Sequence, residues 1–434
     1  MKQQKQRTVK LLPDGPFAIQ LLEHLNSLSI RNNCFTNFRG LWPLNGSDNL
    51  IPDEIRGKLI ENLGFNPIPY LVGNEVEKYL EDLLEYDSEA TEKLLPELIS
   101  QEQIQFLLAQ ILKTIDRIPY HHAFVFELPE WFGKKNSKPE PEYKLSEKIK
   151  IVFNSDLLKE RLKLRKWFQF EKQSALASLL TQSNGWNSKR AYLVIELDGY
   201  SHRYEPSQMS NAFVNDLKAF VGCLLALNLT DRILFWDSNK VETESAIFDL
   251  GGRKKQVSSI EIPHAINNAI ASPQLSTIFE AIGNDEHFYS CLLAMRRIFS
   301  DKKNQNLRLS VQWYFDAVTS SDDITSYVQA TIAMESLYGD SEDSNDIGIG
   351  ALLANRFAYS TATTKYMRDL KISEFKRLYK IRCKIVHSGK NSLNTKERSD
   401  SQTLRLFCAE AISVESGYRV FPDTASTMML RDQP

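Results

Sequence analysis

At 434 residues the chain is too long for one ordinary hydrophobic core, and two or three domains are expected. Its 42% hydrophobic and 25% charged residues fit a soluble globular protein, and a net charge of -2 excludes a globally basic nucleic-acid binder. Any RNA contact must then come from a local patch. The cysteines (Cys34, Cys223, Cys291, Cys383 and Cys408) are scattered and odd in number, without a C-x-x-C pair, which argues against a disulfide scaffold and a zinc ribbon. The opening MKQQKQRTVK leads into no apolar run, which speaks against a secretory signal. No apolar stretch approaches bilayer length, so a cytoplasmic protein without membrane contact is expected.

Taken in chain order, the elements suggest an α+β multidomain protein. Residues 1–118 read as mostly helical. Pro16 opens a helix through Phe17–Leu25, Asn74–Leu84 carries Val76, Tyr79, Leu80 and Leu83 at helical spacing, and Gln101–Ile118 runs up to Pro119. No chemistry is visible there; packing, sensing or interaction are the roles left to it. Residues 119–268 change texture. HHAFVFELP, KIKIVF, RAYLVIELDGY and DRILFW are strand-like runs, with helical patterns between them at Ser155–Leu180 and Asn211–Leu227. The polar GKKNSKPEPEYK reads as a loop, and the whole as an α/β or α+β domain.

Within this middle region IELDGYSH, residues 195–202, invites comparison with very-short-patch-repair-like nucleases, in which an acidic strand end binds metal. The acidic partner one strand earlier and the basic helix downstream are not convincing, so Asp198-Gly199 reads as a strand-ending turn. His121 and His122 lack the H-E-x-x-H spacing of a metal site.

Residues 269–434 read as all-helical. Asn306–Val318 is one helix, and Ile324–Tyr338 starts behind Asp322 and Asp323 and stops at Gly339. The loop DSEDSND leads to Ile347–Tyr359. Ser373 is placed to cap a helix from Glu374 to about His387, ended by Ser388 and Gly389, and Gln402–Ser416 closes the bundle.

Projection at about 100° per residue puts a charge on the apolar face of three of these helices. Glu335 falls among Ile324, Tyr327, Val328, Ile332 and Tyr338. Arg356 falls among Ile349, Leu352, Leu353 and Phe357, and Arg382 among Phe375, Leu378, Ile381, Ile385 and Val386. Inward charges need partners, so Glu335 is expected to neutralise one or both arginines. His387 lies about 140° around the helix from Arg382, at the edge of the same bundle. Arginine can hold a phosphate and histidine can move a proton, a set suited to RNA cleavage by its own 2′-hydroxyl.

These residues also carry a family resemblance. LYKIRCKIVHSGK, residues 378–390, resembles the R-x4-H signature of HEPN domains in its Apea-like form. IAMESLYG (332–339) and LLANRFAY (352–359) resemble the two preceding helices of that branch, in order, so the similarity spans about residues 275–420. It implies an all-α HEPN bundle that homodimerises across two R-x4-H motifs. It also implies a metal- and cofactor-independent endoribonuclease acting in antiphage defence, abortive infection or as a toxin. On that resemblance Arg382 and His387 are the catalytic pair, with Glu335, Arg356, Cys383 and Tyr379 supporting, and the region before the bundle is a sensor of a phage-derived or cellular trigger. Cys383 departs from the Asn, Asp, Ser or His common after the motif arginine, and a thiol is a weaker hydrogen-bonding group. An inactive HEPN adaptor that binds RNA or a protein, and a metal-dependent DNase in the middle domain, are the rival readings. For Glu335 and Arg356 a purely structural ion pair is the plain alternative.

Overall fold

The computed structural model describes residues 11–32, 34–35, 49–64, 67–85, 91–129, 131–132, 140–162, 191–201, 208–230, 245–250, 257–271, 284–300, 304–339 and 348–418. The chain divides into two compact units. One comprises Met1–His122, Leu197–Ala212 and Asp249–Lys255, and the other Ala123–Glu196, Phe213–Phe248 and Gln256–Pro434.

The first unit holds α1 (Pro16–Ser27), β1 (Ser29–Arg31), β2 (Cys34–Phe35), α2 (Asp53–Leu63), α3 (Pro67–Leu83), β3 (Lys93–Leu94), α4 (Leu95–Leu98) and α5 (Gln101–Arg117). Its core is built from helical stripes such as Phe17, Leu21 and Leu25 on α1, Val72, Val76 and Leu80 on α3, and Ile104, Leu107, Ile111 and Ile115 on α5. Ser100 and Gln103 form a reciprocal capping box that fixes the start of α5. Two features differ from expectation. Helix α3 starts seven residues before Asn74, because Pro67 and Pro69 sit in its first turn, where a missing N–H costs nothing. A small sheet in the order β2-β1-β3 interrupts the helices; its strands are too short to show a period.

Most of the larger sheet belongs to the second unit; its strands are β4 (Tyr120–Leu128), β5 (Glu142–Lys144), β6 (Ile149–Val152), β7 (Ala191–Gly199), β8 (Ser245–Asp249) and β9 (Val257–Ser259), of which residues 120–122, 197–199 and 249 fall in the first unit. Their order is β5-β6-β7-β4-β8-β9, with β6 and β7 antiparallel and in register from Ile149↔Ile195 to Val152↔Tyr192. Continuous burial along β6 and the first half of β7 means both faces are covered. The tail of the expected polar loop is strand β5, while residues 133–139 of that loop, residues 163–180 of the expected Ser155–Leu180 helix and the DRILFW run lie outside the described residues. Helix α6 (Ser155–Arg161) follows β6, and α7 (Gln208–Ala226) lays Phe213 on Phe124 of β4, ring centroids 4.6 Å apart. α8 (His264–Ala271) and α9 (Asn284–Ser300) come next, and Phe288 of α9 meets Phe132 edge-on at 5.0 Å.

The helices after α9 are α10 (Gln305–Thr319), α11 (Asp323–Tyr338), α12 (Ile349–Thr361), α13 (Lys365–Ser388) and α14 (Thr395–Glu415). A Cβ on Gly222 of α7 would lie 2.6 Å from the Val311 carbonyl oxygen, so α7 and α10 cross almost backbone to backbone. The Tyr327 hydroxyl donates to the Leu378 carbonyl at 2.9 Å and the Cys408 thiol to that of Ala330 at 3.2 Å, binding α11 to α13 and α14. Lys371, 2% exposed, pairs with Glu410 at 2.6 Å, and Arg377 with Asp400 at 2.6 Å.

The mixed α+β architecture agrees with expectation; several details of the last helices do not. Helix α13 begins at Lys365 with Thr364 as its cap, and Ser373 is an interior, outward residue. Lys371, Phe375, Leu378, Ile381 and Ile385 form one buried stripe continuous through Ser373, so the polar residue does not stop the helix. Asn394 caps α14 earlier than Gln402. Val386 is 48% exposed, and on α11 the buried face is Tyr327, Ala330, Ala333, Met334 and Tyr338, while Ile324, Val328 and Ile332 are half-buried. Small residues let α11 pack closest along its alanine side, a choice that side-chain hydropathy does not reveal. Gly339 ends α11 in an extended conformation, where a Cβ would strike the Glu335 carbonyl oxygen.

Candidate active site

Three adjacent helices position the residues singled out by sequence. Helix α11, capped by the Asp322 side chain at 2.7 Å from the Thr325 amide, carries Glu335 in its last turn. Helix α12 carries Arg356, and α13 carries Tyr379, Arg382, Cys383 and His387. Glu335 and Arg382 meet: the Arg382 Nη2 lies 3.2 Å from one carboxylate oxygen and 3.5 Å from the other. Their side chains are 24% and 19% exposed, so the pair is neither a surface contact nor sealed in the core.

Tyr379 completes the cluster. Its hydroxyl donates to Glu335 at 2.8 Å, and the Arg382 guanidinium sits 5.6 Å from the ring centroid. Burial, and next the bond to the Glu335 carboxylate, push the phenol above its ordinary range, which keeps it a neutral donor. Behind it, Phe375 stacks at 6.4 Å, and a Cβ on Gly350 would come within 2.7 Å of the ring. Tyr379 is therefore held from α11, α12 and its own helix. Gly350 was not foreseen as part of the site; the signal was a glycine inside an otherwise good helical run, which marks a close approach.

Of the two arginines, one or both of which were expected to meet Glu335, Arg382 does so, and Arg356 binds at the end of α11. Its Nη1 donates to the Tyr338 carbonyl at 2.8 Å, satisfying the open C-terminal end of α11 immediately beyond Glu335. Glu335 thus takes Arg382 as its ion-pair partner, and Arg356 locks the turn that presents Glu335. Cys383 is half-buried beside Arg382. His387 is exposed in the last turn of α13, before Gly389 closes the helix in the left-handed conformation (φ 63°). Along α13 it is about 7.5 Å and about 140° from Arg382. One chain therefore gathers Glu335, Tyr379 and Arg382 but leaves His387 on the rim.

The guanidinium of Arg382 is not fully satisfied: its Nε is buried without a hydrogen-bond partner. A buried donor left open costs on the order of 1–3 kcal/mol, which any acceptor oxygen that reached it would relieve. Chemically the cluster offers one cation for an anion and one carboxylate that orients it, with the exposed His387 imidazole on the rim.

Elsewhere, His121 and Asp198 pair at 2.8 Å on an exposed surface of the first unit, and Asp198-Gly199 ends β7. The buried His122 places Nδ1 3.1 Å from the Tyr120 carbonyl, and desolvation holds its imidazole below the ordinary range. Among the described residues no helix is long and apolar enough to cross a membrane. Compared with protein-family models, curated proteins and solved structures, the chain matches none of them.

Proposed function

We propose that the C-terminal helical bundle is a HEPN-type endoribonuclease that needs no metal. The observation that carries this reading is the inward cluster that Glu335 of α11 forms with Tyr379 and Arg382 of α13, the helix bearing the R-x4-H motif, with an unmet guanidinium donor and His387 open to solvent. In the proposed reaction the RNA 2′-oxygen attacks the adjacent phosphorus. The O2′–P bond forms, the P–O5′ bond breaks, and the products end in a 2′,3′-cyclic phosphate and a 5′-hydroxyl. Arg382 binds the phosphate and offsets the charge that grows on its oxygens. His387 moves a proton, either from the 2′-hydroxyl or to the departing 5′-oxygen. The nucleophile belongs to the substrate, so no metal-activated water is required.

The separation of Arg382 from His387 on one helix favours a site completed by a second copy, in which both motifs face one RNA. Glu335 and Tyr379 hold Arg382 in place until phosphate competes for it. A role as a defence or toxin effector, with the preceding region sensing a trigger, rests on the family resemblance alone. A second reading, a non-catalytic HEPN adaptor for RNA or a protein, draws on the same geometry, because Arg382 is already engaged by Glu335.

Cleavage of single-stranded RNA in EDTA separates the readings. Wild-type protein is expected to cut, and Arg382→Ala and His387→Ala to lose about 10²–10⁴-fold in rate while keeping the wild-type circular dichroism. Activity that EDTA abolishes would point to a metal-dependent nuclease, and unchanged cutting by both variants would remove these residues from the mechanism.

A further inference from the structure

The outward face of α13 is more basic than the chain as a whole. Lys376, Lys380 and Lys384 are all exposed and recur every fourth residue, so they stand about 6 Å apart along the axis and drift about 40° per step. His387 is exposed on the same face, about 20° around from Lys376. The neighbouring acids are already engaged: Glu374 and Asp400 with Arg377, Glu335 with Arg382, and Glu397 with Lys390. Lys384 feels Glu397 only as a secondary partner. This leaves the three lysines without an ion-pair partner among the described residues. Asp369 is the exposed acid of that face, about 10 Å before Lys376 along the axis.

A row of unpaired ammonium groups at that step suits a polyanion whose charges repeat at a comparable interval, as the phosphates of an extended nucleic-acid strand do. The track from Lys376 to His387 is only about 17 Å long and lies on a convex helix. A double-stranded RNA, read across about 16 base pairs, needs a longer and broader surface. We propose that single-stranded RNA runs along α13 with successive phosphates on Lys376, Lys380 and Lys384, and that this path leads the strand to His387. The inference builds on the ribonuclease reading but concerns binding, which can be measured apart from cleavage.

The test uses the full chain and a single-stranded RNA oligonucleotide carrying 2′-O-methyl groups, which cannot be cut through its 2′-oxygen. Affinity is followed by fluorescence anisotropy against salt concentration, for wild type and for Lys376→Ala, Lys380→Ala, Lys384→Ala combined. Three lost phosphate contacts lower the log–log salt slope by about 2, so a fourfold rise in salt costs the wild type about 15–20-fold more affinity than the variant. Exposed-lysine substitutions of this kind leave stability within about 0.5 kcal/mol, and an unchanged Tm verifies the fold. Lys93→Ala with Lys113→Ala, both exposed in the first unit, is expected to bind as wild type. The inference is overturned if the slope does not change, if wild type does not bind, if duplex RNA binds as tightly, or if poly-glutamate binds the same face equally well. Absence of cleavage with unmodified RNA, alongside a stripe-dependent slope, would sink the ribonuclease reading and leave this one standing.

Discussion

Gly350→Ala tests whether Tyr379 is held as tightly as the packing indicates. An added methyl would lie 2.7 Å from Cδ1 and 3.2 Å from Cε1 of the Tyr379 ring, well inside van der Waals contact. The ring cannot simply swing away, because Phe375 stacks on it and its hydroxyl is bound to Glu335. Overpacking of this kind costs about 1–3 kcal/mol. Against it, alanine in a helix gains up to about 1 kcal/mol over glycine. The net effect is a loss of up to about 2 kcal/mol, read as a lower urea midpoint at constant m-value. In a Tyr379→Ala background the obstruction is gone, and the same substitution should raise the midpoint instead. In Tyr379→Phe the ring remains, and the loss should persist. A midpoint that moves the same way in all three backgrounds would refute the proposed contact, since independent sites add.

Two further outcomes follow from burial. Lys371 is 2% exposed and held by Glu410 at 2.6 Å, Thr361 at 2.9 Å and the Phe357 ring at 5.2 Å, so Lys371→Ala should cost about 3–5 kcal/mol. Lys371→Met with Glu410→Leu should recover most of that loss; equal losses in both would mean the ion pair is not what matters. At high pH, burial raises the Tyr327, Tyr338, Tyr379 and Tyr418 phenols above the ordinary 10.0. These groups bind protons more tightly folded than unfolded. Their stabilisation is full below the ordinary value and is lost as pH rises beyond it, so the urea midpoint should fall between about pH 9 and 11.5. A flat midpoint over that range would contradict the buried phenols.

Sequence periodicity located the long amphipathic helices well, because a continuous apolar stripe on α5 or α13 is itself the cause of their docking. It misplaced their ends where tertiary packing overrides a local signal, as at Ser373, which looks like a cap yet sits outward in mid-helix. It missed β1, β2 and β3 because two or three residues carry no usable period. At the site, an inward charge on a helix announces that a partner exists, and Glu335 with Arg382 was legible on that ground. Which arginine Glu335 would take was not, since Arg356 finds a backbone carbonyl that no residue pattern encodes. Gly350 carried only the general signal of a glycine inside a helical run, because its importance lies in the ring opposite it, not in its own chemistry.

The most direct test of the central claim is an RNA with one 2′-deoxy nucleotide at a mapped cleavage site, incubated with wild-type protein in EDTA. If the neighbouring 2′-hydroxyl is the nucleophile, cutting stops at that linkage alone and continues at others, which end in 2′,3′-cyclic phosphates. Cleavage that persists at the deoxy linkage would mean that water or a protein group attacks the phosphorus, and the assignment of Arg382 and His387 to a HEPN-type reaction would fall.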